Sequence, residues 1–171
     1  MPATFTKIAT ATSTSNNTSL GFTSIPNTYK NLVIYAYLRS NRTSTNDPIV
    51  MSFNGVTAGQ SRRTDVLASG SASNQVYDIG AWSACATDAS STAGVWGQAV
   101  IYISEYASTT GLNKTFVSYG VGEQASTSTG YLRGQNSGSL DVTSAITSIT
   151  MTPLSATYWA TNSYAVLYGL E

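Results

Sequence analysis

The chain has no histidine, one cysteine and eight carboxylic acids, and these few residues decide what chemistry is open to it. Without an imidazole it lacks the usual general base at neutral pH, the usual partner of a serine or cysteine nucleophile and the commonest zinc ligand, so hydrolase triads are excluded. Carboxylates alone still permit glycoside cleavage, which needs only two acids across a cleft. The acids are Asp47, Asp65, Asp78, Asp88, Asp141, Glu105, Glu123 and Glu171, and Glu105 with Glu123 is the pair to test. None falls in a recognisable catalytic motif, and isolated acids on a β protein usually serve loops or pair with arginine. The reading is a protein that is not an enzyme, with no catalytic residue.

Metal and cofactor motifs are equally thin. Asn46-Asp47 and Asp88 could offer oxygen ligands to calcium, but no DxDxDG-like run surrounds them, and Asx side chains in turns more often bond their own backbone. Ser69-Gly70-Ser71 and Gly120-Val121-Gly122 come closest to phosphate loops; neither carries a following Lys-Ser/Thr or opens a helix, and both read as turns or bulges. Cys85 is alone, which rules out an intrachain disulfide and a CxxC site and leaves a small buried side chain as its expected role. Asn16, Asn41 and Asn113 begin Asn-x-Ser/Thr triplets, which matter only in a secretory pathway, and the first residues show no signal peptide. No cofactor and no metal are expected.

Binding residues are better represented. Trp82, Trp96, Trp159 and 11 tyrosines offer flat apolar faces with a polar handle, suited to stacking on a sugar or anchoring a partner. Trp96 leads into Ala99, Ile101 and Ile103, and Trp159 sits in the final strand region, so both read as core. Arg42 and Arg62-Arg63 are the dense positive spots, able to pair with acids on a neighbouring subunit or simply to stay solvated. Arg42, Arg62, Arg63 and Trp82 are therefore the partner-contact candidates. Charged residues make up 9% of the chain, against roughly 25% in ordinary soluble proteins, and cancel to a formal net charge of zero. Such a chain has no field for nucleic acid or an anionic membrane. Lacking colloidal repulsion, it suits an assembled state.

The elements that must carry these residues are strands. In Gly21 to Ser40, a Pro26-Asn27 bend precedes a run in which Leu32, Ile34, Ala36 and Leu38 alternate with Val33, Tyr35, Tyr37 and Arg39. Both sets have something to bury, which predicts a central strand. Further strands are predicted over Phe5 to Thr12, Ser19 to Thr23, Ile49 to Phe53, Arg62 to Ala68, Gln75 to Trp82, Trp96 to Ser104, Thr115 to Val121, Gly130 to Gln135 and Ile146 to Met151. A last one covers Ala156 to Leu170, broken at Thr161 to Ser163, apolar on both faces and so expected inside the sheet. No window has helical periodicity with a cap and stop, so helix is limited to a turn or two near Glu105 to Thr109. About ten strands at such spacing predict an all-β fold, a jelly-roll-like sandwich of two antiparallel sheets in one domain over residues 1–171. No run approaches the roughly 20 apolar residues of a membrane span, so a soluble product of a cytoplasm is expected.

One framework of residues carries a resemblance. The run F-T-S-I-P-x-T-Y-x-x-L-V-I at Phe22 to Ile34, Arg39-Ser40, and M-S-F-N-G at Met51 to Gly55, with Phe5-Thr6-Lys7-Ile8-Ala9 at the start and Tyr168-Gly169 near the end, resembles small virion proteins of tailed bacteriophages. It covers the first third of the chain well and the rest loosely. The resemblance implies a jelly roll on the virion exterior with no enzyme activity. The role it implies is a head decoration or cement protein, often trimeric, held by the major capsid protein or other virion proteins, or alternatively a head or tail fibre module that binds a host cell-surface glycan. It carries over no site residues.

Overall fold

The structure, a computed structural model, describes residues 4–43, 47–67, 72–79, 81–124 and 130–171, and the side chains of residues 58–85 and 124–132 lie outside that description. The described residues form no helix and these strands: β1 (Phe5–Thr12), β2 (Leu20–Phe22), β3 (Asn31–Leu38), β4 (Asp47–Phe53), β5 (Ala58–Leu67), β6 (Ala72–Ile79), β7 (Ala81–Ala86), β8 (Gly97–Ser104), β9 (Lys114–Gln124), β10 (Gly130–Leu140), β11 (Ile149–Pro153) and β12 (Tyr164–Leu170).

Eight of them form one long hairpin rolled up on itself. β1 pairs with β12, β2 with β11, β3 with β8 and β4 with β7, all antiparallel, so β1 to β4 run against the chain that returns through β7, β8, β11 and β12. Rolling this hairpin adds the β12·β3 and β11·β4 pairs and deals the strands into two sheets, β1-β12-β3-β8 and β2-β11-β4-β7. That order is the jelly roll expected from the sequence. Two inserted hairpins widen one sheet only. β5-β6 leaves between β4 and β7, β9-β10 leaves between β8 and β11, and together they extend the first sheet to the order β1-β12-β3-β8-β9-β10-β5-β6.

Alternation builds the core. Leu32, Ile34, Ala36 and Leu38 of β3, Ala99, Ile101 and Ile103 of β8, and Ala165 and Leu167 of β12 face Ile49, Met51 and Phe53 of β4, Ile149 and Met151 of β11, and Leu20 and Phe22 of β2. Each large side chain so buried contributes about 1.5–3 kcal/mol relative to exposure. Trp159 is fully buried as expected, though it lies before the last strand, with its indole N–H donating to the Met151 carbonyl at 3.1 Å. Two sequence signals have a visible geometric cause. Asn54-Gly55 closes a two-residue turn between Phe53 and Val56 with φ of 51° and 78°, the left-handed pair that a primed hairpin turn requires. Gly169 lies beneath the Tyr29 ring, and a Cβ there would overlap its carbons, so the Thr-Tyr of the early run and the Tyr-Gly of the last strand are halves of one contact.

Several expectations are corrected. Gln75 to Trp82 is divided between β6 and β7, which belong to different sheets; Gly80 was the sequence's only punctuation there. Glu105 to Thr109 is a turn, entered through a left-handed Glu105 (φ 50°) and closed by the Ser108 amide donating to the Glu105 carbonyl, not helix. Gly120-Val121-Gly122 lies in unbroken register within β9, and a Cβ at Gly122 would come within 3.3 Å of the Thr87 hydroxyl, so close packing explains that glycine better than a turn. The last strand does lie inside its sheet, between β1 and β3, yet Tyr164 stays 37% exposed and Tyr35 on β3 39%. Being central in a sheet gave these strands neighbours on both edges, while the smaller sheet covers only one of their faces.

Candidate contact face and its corner pocket

The uncovered face of the eight-stranded sheet follows directly from register, since paired residues of antiparallel strands project to the same side. One row runs Thr12, Tyr164, Tyr37, Gln98, Val121, Arg133. The next runs Thr10, Val166, Tyr35, Val100, Tyr119, Gln135, and a third Lys7, Tyr168, Val33, Tyr102, Val117, Ser137. In the second and third rows aromatic and β-branched residues alternate; across β1, β12, β3, β8, β9 and β10 the formal charges in these rows are Lys7 and Arg133, and β5 continues the third row at Arg62. Six exposed large apolar side chains lie on this face: Phe5, Tyr35, Val100, Tyr119, Val121 and Tyr164. Phe5 and Tyr168 meet edge to face at 6.2 Å, as do Tyr168 and Tyr35 at 5.8 Å, while Tyr37 and Tyr164 stack at 5.1 Å with 15° between their planes. So many rings gathered on one face make it the candidate contact surface. A shallow depression of about 250 Å³ between Gln98, Val100, Tyr119, Val121 and Arg133 roughens its middle.

At one corner the face meets a tightly held loop. The Arg39 guanidinium donates to the carbonyls of Ala89, Ser91, Thr92 and Val95 at 2.8–3.2 Å, pinning residues 89–95 against the end of β3. The Glu123 carboxylate fastens the same loop by accepting from the Thr92 amide at 2.6 Å and the Thr92 hydroxyl at 2.7 Å. Asp88, fully buried at the loop's start, accepts from the Ser90 and Ser91 amides at 2.7 and 3.0 Å. Burial pushes its carboxyl above the ordinary aspartate value, against the pull of those amides and of Arg39. Behind the loop, Ser163 donates to the Arg39 carbonyl and accepts from the Arg39 amide, both at 3.1 Å. The product is a pocket of about 440 Å³ lined by Tyr37, Gly94, Trp96, Gln98, Asn162 and Tyr164.

The residues singled out by sequence are placed unevenly. Arg42 follows β3, half-buried, its amide donating to the Ser40 hydroxyl and its carbonyl accepting from the Ala89 amide. Arg62 and Arg63 occupy β5 opposite Ser137 and Asn136, and Trp82 occupies β7 opposite Val50; their side chains, with that of Cys85, lie outside the described residues. Ser69-Gly70-Ser71 and Asn46 lie outside them too. Asp88 bonds the amides two and three residues on, the local Asx behaviour expected, whereas Asp47 is buried and receives the distant Ser155 and Ala156 amides at 2.9 and 3.0 Å. Among the described residues no group of three or more metal-ligating side chains occurs. Glu105 pairs with Lys30 at 3.5 Å, and Glu123 holds Thr92, so each acid has a separate structural partner.

Trp96 corrects the sequence reading. It is half-buried and lines the corner pocket, because it precedes the strand whose inward positions begin at Gly97. Sequence reasoning also passed over Tyr37, Gln98, Tyr164 and Asn162. The signal that would have found the tyrosines is their type, since Tyr rather than Val or Ile on the second face of a central strand favours a surface with one wet side. Among the described residues no helix is long and apolar enough to cross a membrane. Comparison with protein-family models, with curated proteins and with solved structures finds no match to the chain.

Proposed function

We propose that the chain is a structural component of a tailed-phage virion, a decoration or cement protein on the outer head surface. It stabilises the capsid lattice through repeated weak contacts. The observation that carries this reading is the uncovered face of the eight-stranded sheet, broad and, among the described residues, rich in exposed aromatic rings. Two inserted hairpins widen that sheet to eight strands against four in the other, which enlarges its outer face. The rolled-hairpin order agrees with the fold implied by the phage resemblance, although fold alone assigns no role. Contacts of this kind, individually modest, become strong when point-group symmetry repeats them, and a homotrimer on the major capsid protein is the assembly expected.

The test uses the isolated chain, sedimented with undecorated expanded heads of the phage that encodes it. Co-sedimentation with a stoichiometry set by the lattice is expected. Tyr35→Lys with Tyr119→Lys places charge on two exposed positions of the face and should abolish binding while leaving the unfolding midpoint within about 1 kcal/mol of the parent. A protein that stays monomeric at high concentration and ignores expanded heads contradicts the reading.

A further inference from the structure

The corner pocket has the composition of a carbohydrate site, and we propose that it binds a neutral pyranose through ring stacking and two side-chain amides. Tyr37, Tyr164 and Trp96 supply apolar ring faces of the kind against which the C–H face of a sugar packs. Gln98 and Asn162 supply a donor and an acceptor each, and among the described residues neither side-chain amide has a hydrogen-bond partner, so both are free for hydroxyl groups. No ionised side chain lines the pocket. The nearest guanidinium, Arg39, directs its N–H groups at four backbone carbonyls and away from any ligand. A carboxylated or phosphorylated sugar would therefore bring a charge with nothing to meet it, which selects a neutral ligand.

Rigidity is the second half of the argument. Asn162 holds a left-handed φ of 73° and Gly94 one of 83°, conformations that few residues adopt, and the Asn162 amide is tied to the Ser13 carbonyl at 2.8 Å. The Arg39 bonds and the Glu123–Thr92 pair fix the wall that carries Gly94 and leads to Trp96. A pocket whose walls are already ordered loses little entropy when it is filled. Its volume, about 440 Å³, accommodates a mono- or disaccharide. Tyr37, Gln98 and Tyr164 belong to the first row of the same face, so the site is open on the free chain and covered wherever that row is docked. The inference does not depend on where the protein sits on a particle.

The experiment follows indole N–H resonances of the intact protein during titration with methyl α-glycosides of glucose, galactose and mannose, with N-acetylglucosamine, and with N-acetylneuraminic acid as the charged probe. At least one neutral glycoside should move the Trp96 resonance saturably, with a dissociation constant on the order of millimolar, and leave that of buried Trp159 in place. Asn162→Gly keeps the left-handed backbone and removes the amide, and Gln98→Thr keeps strand preference; each should weaken binding by about tenfold without moving the unfolding midpoint. The proposal is overturned if no neutral glycoside shifts Trp96 at about 100 mM. It is equally overturned if only the acidic sugar does, or if both variants bind as the parent does. Because the measurement is made off the particle, any of these failures leaves the virion role standing.

Discussion

At the scale of single residues, the fold is held by contacts that join distant pieces of sequence. Gly169 and Tyr29 are the plainest case, because the ring fills the space a side chain would need. Gly169→Ala should cost about 1–3 kcal/mol as overpacking, read from denaturant midpoints. The loss should shrink in a Tyr29→Ala background, since the two sites share one contact. Additive losses would remove this explanation of the paired motifs. Asp88 makes a pH-dependent contribution whose sign is fixed by burial. Its folded carboxyl holds the proton more tightly than the unfolded chain, where the ordinary value is 3.8. The stabilisation is therefore full below that value and lost as pH rises through the raised folded one. Asp88→Asn cannot ionise and keeps a carbonyl acceptor for Ser90 and Ser91, so its stability relative to the parent should improve from about pH 3 to about pH 7. A difference that stays flat with pH contradicts the assignment.

At the scale of elements, strands were legible where alternation was clean and turn residues bounded it. Phe5–Thr12 was bounded correctly at both ends, and Asn31–Leu38 ran two residues short of the expected Ser40, because Arg39 and Ser40 make only isolated bridges. What alternation could not supply was which face of a sheet is covered. Val33 is buried as read, but Tyr35 and Tyr37 on the same face are not fully so, because coverage depends on how many strands the opposite sheet has, a property of topology and not of β3. The corner pocket was illegible for the same reason: Tyr37, Trp96 and Asn162 come from three separate segments, joined only by the rolled pairing and by Arg39. That arginine gives the element-scale prediction. Arg39→Lys keeps the charge but cannot reach four carbonyls with one ammonium group. Hydrogen exchange at the loop amides Ser91 and Val95 should quicken, while the global unfolding midpoint falls by no more than about 1–2 kcal/mol. Unchanged exchange there would show that the loop is ordered by something other than Arg39.

At the scale of the whole molecule, the chain combines a jelly-roll core with one sheet twice as wide as the other, and almost no net charge anywhere. Among the described residues Tyr35, Tyr119 and Tyr164 stay exposed on the outer side of the wide sheet, and on the proposed reading that surface is covered in the particle. The absence of histidine, visible in sequence, already removed most catalytic roles, and the structure assigns Glu105 and Glu123 to separate partners. The central claim is that this surface docks on a virion shell. Cryo-electron microscopy of the phage particles that carry the chain tests it most directly. The account predicts jelly-roll density repeated by icosahedral symmetry on the outer head, with the row that holds Tyr35 and Tyr119 buried against neighbouring subunits. Particles lacking the chain, or carrying it with the row of Tyr35 and Tyr119 facing solvent, would contradict it.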